Sequence, residues 1–134
     1  MEAVAAGAHA DPRRDDRRRA ERHGRMAEQA ACWLLRLKGY RILALRARTP
    51  MGEIDVVARR GSTTAFIEVK ARASREDALL AVTPRAARRL AGAARCWVAR
   101  HGDALDGACR FDVVTVSPRF APRHVANAFE ANAF

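Results

Sequence analysis

Apolar residues recur at helical spacing between Glu21 and Lys38. Ala27, Ala30, Ala31, Leu34 and Leu35 follow the i, i+3, i+4, i+7 pattern, with Lys38 at the edge of the stripe. Gly39 stands where a helix wants a left-handed residue to stop it. The period then shortens. Tyr40 to Leu45, Glu53 to Ala58 and Thr64 to Lys70 read as strands, separated by the turns Thr49-Pro50-Met51-Gly52 and Arg60-Gly61-Ser62. A polar loop follows. Thr83 as N-cap and Pro84 at the first helical position open a second helix. Leu90, Ala91, Ala94, Trp97 and Val98 give it an apolar stripe, and His101-Gly102 ends it. Phe111 to Val116 is a fourth strand, closed by Ser117-Pro118. The order α-β-β-β-α-β predicts an α/β protein with a central mixed sheet flanked by helices.

The two ends carry weaker patterns. Residues 1–20 read as a mobile basic extension with the charge run Arg13-Arg14-Asp15-Asp16-Arg17-Arg18-Arg19, whose C-terminal part can continue into the first helix. Residues 21–129 read as one folded domain and residues 130–134 as a tail. Ala126-Asn127-Ala128-Phe129 resembles Ala131-Asn132-Ala133-Phe134, but two short copies do not make a repeat protein.

Composition narrows the classes. A chain of 134 residues suits one domain with one real core. No run of about 18 apolar residues is present, so no membrane partner is expected. The N-terminus lacks an apolar stretch followed by a cleavage site, which reads against secretion. Cys32, Cys96 and Cys109 lie far apart without C-x-x-C spacing, so neither zinc nor a disulfide framework is indicated, and a cytoplasmic location fits. The net charge of +10 suits a polyanionic partner such as nucleic acid. The positive charge is nearly all Arg, with Lys only at 38 and 70. Arg-rich codon usage gives the same excess without a binding role, so both readings stay open.

The candidate chemistry sits on the second and third strands. Side chains alternate along a strand. Ile54, Val56 and Ala58 then share one face, while Glu53 and Asp55 point the other way; Ala65, Ile67 and Val69 share one face, while Phe66, Glu68 and Lys70 take the other. A hairpin centred between Gly61 and Ser62 sets Asp55 opposite Glu68 and Glu53 opposite Lys70, with Cβ atoms roughly 4.5–5.5 Å apart. Two opposed carboxylates need compensation. A proton supplies it by raising one pKa, and so does a hard divalent cation such as Mg²⁺, which takes one or two carboxylates and keeps several waters. Asp55 and Glu68 are the candidate metal ligands, with the Val69 backbone carbonyl as a third oxygen. Lys70 is placed to orient or deprotonate a water, or to stabilise charge on a phosphate. The same four charges also suit a solvated, salt-bridged hairpin face. Glu28, beside the first helix's stripe, reads as an ordinary exposed charge or as a residue reaching the metal if the helix packs over the hairpin.

Gly39-Tyr40-Arg41-Ile42-Leu43, Gly52-Glu53-Ile54-Asp55-Val56-Val57-Ala58, Phe66-Ile67-Glu68-Val69-Lys70-Ala71-Arg72 and Arg110-Phe111-Asp112-Val113-Val114 resemble, in order, the motifs of the bacterial YraN-like family. His124-Val125-Ala126-Asn127-Ala128-Phe129 resembles its C-terminal ending. That family is placed in the restriction-endonuclease-like PD-(D/E)XK superfamily, near archaeal Holliday-junction resolvases. The resemblance implies the three-layer fold of that superfamily, with Asp55 and Glu68 as metal-binding acids, Lys70 as the motif lysine and Glu28 as the helix-one glutamate of resolvase-like members. It also implies a homodimer. Phe120, Phe129 and Phe134 near the C-terminus are candidates for its interface or for ordinary core packing, the latter favoured for the first two. The chain departs from the family in three places. Ala86-Ala87 stands where many relatives carry Lys-Gln, Arg46 stands where an Asn is common, and residues 130–134 run past the usual end. Arg85, Arg88 and Arg89 are placed to compensate for Ala86-Ala87.

Together these readings give a Mg²⁺- or Mn²⁺-dependent endonuclease hydrolysing phosphodiesters in DNA, branched or damaged. Asp55, Glu68 and Lys70 are catalytic, Glu28 assists at the metal, and Arg46, Arg48, Arg72, Arg85, Arg88 and Arg89 contact phosphates. Two other classes remain: a nucleic-acid-binding module with the fold but no turnover, and an interaction protein whose basic surface meets an acidic partner.

Overall fold

A computed structural model describes residues 12–72, 74–80, 82–102, 106–117, 119 and 121–128. The elements in chain order are α1 (Pro12–Leu37), β1 (Arg41–Thr49), β2 (Gly52–Arg60), β3 (Thr63–Ala71), α2 (Arg75–Leu80), α3 (Pro84–His101), β4 (Ala108–Ser117) and β5 (Ala121–Val125). The charge run at residues 13–19 lies on α1, so the first helix starts nine residues before the Glu21 expected from periodicity. Residues 1–11 and 129–134, and with them Phe129 and Phe134, fall outside the described residues, as does Phe120.

The strands form one mixed sheet in the order β1-β2-β3-β4-β5. All neighbours are antiparallel except β3 and β4, which run parallel. Parallel neighbours need a crossover, and α2 and α3 supply it. The expected order α-β-β-β-α-β is corrected here by two elements, α2 and β5. α2 is one short polar turn-and-a-half, too brief for a helical period to register. β5, Ala-Pro-Arg-His-Val, has no alternation of apolar and polar residues and carries a proline. Pro122 is tolerated because β5 is an edge strand, where a missing N–H costs no ladder bond on the open side.

Two apolar layers sandwich the sheet between helices. On one face α1 lays Ala27, Ala31, Cys32 and Leu35 against Val56, Ala58, Ala65, Ile67, Val114 and Val116. The small Ala27 and Ala31, one turn apart, let the helix backbone approach closely. On the other face Leu90, Ala91, Ala94 and Trp97 of α3 pack on Val57, Phe66, Phe111 and Val113. Thr83 caps α3, its Oγ1 accepting from the Ala86 amide at 3.1 Å, with Pro84 in the first turn. Gly92 of α3 lies under Met51: a Cβ there would come within 3.2 Å of Met51 Cε, so the missing side chain lets the β1–β2 turn rest on the helix.

Alternation breaks in β1, at a register shift between Ile42 and Ala44, and again in β2. Val56 and Ala58 belong to the α1 layer as expected, but Ile54 joins the α3 layer. The break in β2 coincides with the end of the β2–β3 ladder, where β2 is free to rotate away from its neighbour.

Candidate metal site at the fork of the sheet

The β2–β3 ladder has the register of a hairpin centred between Gly61 and Ser62, from Arg60↔Thr63 to Val56↔Ile67. There it stops. Beyond it β2 pairs only with β1, through Ala47↔Ile54, Arg48↔Glu53 and Thr49↔Gly52. β3 continues only with β4, from Glu68↔Val113 to Ala71↔Val116. The sheet therefore forks, and the first residues past the last shared pair are Asp55 and Glu68.

Asp55 closes the vertex. Its Oδ2 accepts from the Val69 backbone N–H at 2.8 Å, in place of a ladder bond. The N–H and C=O of one strand residue point to the same side. The Val69 carbonyl is therefore directed toward β2 and Asp55, away from β4. Glu68 is 6% exposed. Its Oε1 meets Lys70 Nζ at 3.2 Å and Arg89 Nη2 at 3.3 Å. The hydrogen bonds and ion pairs of these two acids fall on Asp55 Oδ2 and Glu68 Oε1.

The electrostatics show strain. Burial pushes the Asp55 carboxyl up, and the neighbouring Glu68 charge raises it further; the Val69 hydrogen bond offsets part of this, and the result is about 7. Glu28 adds a smaller upward push and Lys70 a downward one. Desolvation and a like-charged neighbour both disfavour the ionised carboxylate.

Glu28 stands at the margin. Its Oε1 accepts from Arg46 Nε at 2.7 Å, and the Arg46 guanidinium is raised chiefly by that hydrogen bond. Glu53 does not oppose Lys70: it pairs loosely with Arg48 across β1, at 3.8 Å, with both side chains well exposed. Arg72 donates to the Ala71 carbonyl at 2.7 Å, on the exposed end of β3. Arg85 and Arg88 lie exposed on the first turns of α3, and Ala86 and Ala87 beside them are half-buried. Among the described residues no three His, Cys, Asp or Glu side chains converge into a preformed metal cage. The oxygens at the vertex are two carboxylates and one backbone carbonyl. That set fits a hard cation completed by water, and it does not fit zinc.

The profile of the uncharacterised protein family UPF0102 matches residues 27–116. A UPF0102 protein of Bradyrhizobium diazoefficiens is 53% identical over 113 residues, covering 84% of this chain and 85% of the relative. One from Rhizobium meliloti is 50% identical over 111 residues, covering 83% and 91%. The chain belongs to the UPF0102, or YraN-like, family.

The UPF0102 match spans every residue at the fork, from Glu28 to Arg89. It also spans Asp112, the centre of a second polar cluster on the α1 face. Asp112 is fully buried. It accepts from Arg110 Nε at 2.8 Å and Nη2 at 2.7 Å, from His124 Nε2 at 2.7 Å and from the Asn127 backbone N–H at 2.9 Å. Lys38 Nζ reaches His124 Nδ1 at 2.5 Å. An ammonium can only donate, so Nδ1 accepts and Nε2 carries the proton shared with Asp112. Arg110 also donates to the Tyr40 hydroxyl. Burial alone would raise Asp112, but the hydrogen bonds from His124, Arg110 and Asn127 outweigh it and hold the carboxyl at about 2. These residues lie in the Arg110-Phe111-Asp112 and His124-to-Asn127 motifs. Nothing in their spacing announces the cluster, because His124 and Asp112 meet only through the β4–β5 pairing.

Proposed function

We propose that this UPF0102 protein is a Mg²⁺- or Mn²⁺-dependent endonuclease of the restriction-endonuclease-like type, hydrolysing phosphodiesters in branched or damaged DNA. The observation that carries the proposal is the Asp55–Glu68 pair at the vertex of a forked sheet, Glu68 buried and Asp55 half-buried with its carboxyl pushed up to about 7. A soluble protein gains nothing in stability from such a pair; a bound cation removes the penalty. The layering of α1, mixed sheet and α3 supports the superfamily assignment.

A cation held there would lower the pKa of a bound water and stabilise charge at phosphorus during in-line displacement. Asp55 Oδ1, Glu68 Oε2 and the Val69 carbonyl would hold it. The Val69 amide fixes the Asp55 carboxylate in orientation. Lys70, kept beside Glu68, positions the attacking water or bears the charge of the phosphate oxygens. Arg46, Arg48, Arg72, Arg85, Arg88 and Arg89 supply the basic rim on which a backbone would lie. A homodimer would place two such forks on the two strands of a junction.

The test is cleavage of a panel of DNA structures with Mg²⁺ or Mn²⁺. Wild type should cut at least one, and Asp55→Ala and Lys70→Ala should lose about 10²-fold or more. Equal activity in all three proteins would remove the catalytic assignment.

A nucleic-acid-binding module without turnover is the second reading. It is favoured by Glu68 having two cationic partners already and by Ala86-Ala87 on α3. It predicts steeply salt-dependent binding that survives Asp55→Ala.

A further inference from the structure

Arg89 reaches the fork by an unusual route. It rises from the second turn of α3 and is 52% exposed at the side chain, yet its Nη2 meets the 6% exposed Glu68. Its stem crosses the β1–β2 turn over Gly52. A Cβ on Gly52 would stand 3.1 Å from Arg89 Cγ and 3.2 Å from Cδ. Gly52 also holds φ +132°, a conformation that other residues rarely adopt. The glycine opening the Gly52-Glu53-Ile54-Asp55 motif is thus the floor over which an arginine is laid toward the metal-site acid.

Glu68 Oε1 is shared by two cations of different character. Lys70 lies on the same strand, two residues away, with an 18% exposed side chain. Arg89 hangs on a long stem, and its side chain is about half exposed. A guanidinium is a planar fork matched to phosphate, and it is weakly hydrated enough to leave one anion for another. A dication at the vertex and Arg89 repel each other, and both draw on Glu68.

We propose that Arg89 is a movable counter-cation: it neutralises Glu68 when the metal is absent and turns outward to hold a backbone phosphate when metal and DNA are bound. This rests on the metal-site reading above. It assigns to Arg89 the polar contact that Ala86-Ala87 cannot make, and it gives the fork an order of loading in which metal binding frees the phosphate clamp.

The inference is tested without turnover, by Mn²⁺ titration calorimetry and by anisotropy of a labelled four-way DNA junction in Ca²⁺ at several salt concentrations. Arg89→Gln should tighten Mn²⁺ by roughly 2- to 5-fold, since a competing exposed charge is removed. It should weaken the junction about 10-fold and reduce the salt slope by about 1, as for one lost phosphate contact. Arg89→Lys should restore the salt slope but only part of the affinity. Gly52→Ala, which displaces the Arg89 stem, should follow Arg89→Gln. Loss of Mn²⁺ and DNA binding together in Arg89→Gln would make the residue merely structural and overturn the inference. An unchanged salt slope would overturn it as well. Failure of wild type to bind Mn²⁺ would bring down the metal-site reading and this inference with it, whereas Mn²⁺ binding indifferent to Arg89 brings down this inference alone.

Discussion

Two aspartates of the same sheet are treated in opposite ways. Asp112 collects four hydrogen bonds, two of them from one guanidinium, and its carboxyl is held at about 2. Asp55 collects one, from a backbone amide, stands against another carboxylate and is pushed up to about 7. The Asp112 cluster ties β4, β5 and the residues after α1 into one unit, and its charges are satisfied inside the fold. In the Asp55 pair both cations, Lys70 and Arg89, fall on Glu68, and Asp55 is met by a backbone amide. The difference separates a carboxylate whose charge the fold stabilises from one whose charge the fold disfavours.

The comparison can be broken most directly at Asp112. Asp112→Ala leaves Arg110 and His124 without their shared acceptor and should cost about 3–5 kcal/mol in urea unfolding at pH 7. A loss below about 1 kcal/mol would show that the network is incidental. At Asp55 the sign should reverse. Asp55→Asn keeps an acceptor for the Val69 amide and removes the repulsion with Glu68. It should raise metal-free stability at pH 8 by about 1–3 kcal/mol while removing Mn²⁺ binding. Destabilisation by this variant would mean that the Asp55 charge is already compensated.

The pH profile sharpens the same contrast. The unfolded Asp55 carboxyl ionises near its ordinary 3.8 and the folded one near 7, so between these values the native state holds the extra proton. Metal-free stability therefore falls through this group as pH rises from about 4 to about 7. For Asp112 the folded carboxyl ionises first, so its stabilisation is present above about pH 4 and is lost as pH falls toward 2. Urea midpoints from pH 3 to pH 8 should show both limbs, and Asp55→Asn should flatten only the upper one. The smallest effect is expected at Glu53, whose partner Arg48 lies 3.8 Å away in solvent. Glu53→Ala should change stability by less than about 0.5 kcal/mol and leave metal binding intact.

Much of the fold was legible because its signals are local. The α3 cap at Thr83-Pro84, the α1 stripe and the hairpin centre all follow from residues a few positions apart. The register through Gly61-Ser62 brings Asp55 to Glu68 by arithmetic alone. What alternation could not show is the fork: two strands leaving each other is a choice made by their outer neighbours, β1 and β4. Hence Ile54 changes layers and Glu53 turns to Arg48. β5 was hidden by its proline and its edge position. The Arg89–Gly52 crossing was hidden because it joins a helix to a turn 37 positions earlier, although an Arg among alanines and a motif glycine were each visible. Arg46 lies with φ +48°, a conformation uncommon for an arginine, and it carries the ion pair to Glu28, a contact between α1 and β1 that no local pattern announces.

The strand order of the sheet is also its order in the chain, and this has a consequence in time. β1, β2 and β3 can zip as a meander while later residues are still being synthesised, since each pairs with its immediate predecessor. The acids of the fork are then brought together some twenty residues before Arg89 leaves the ribosome. A chain that zips in this order sets Asp55 against Glu68 while Lys70 is the cation closest in sequence and Arg89 has still to arrive.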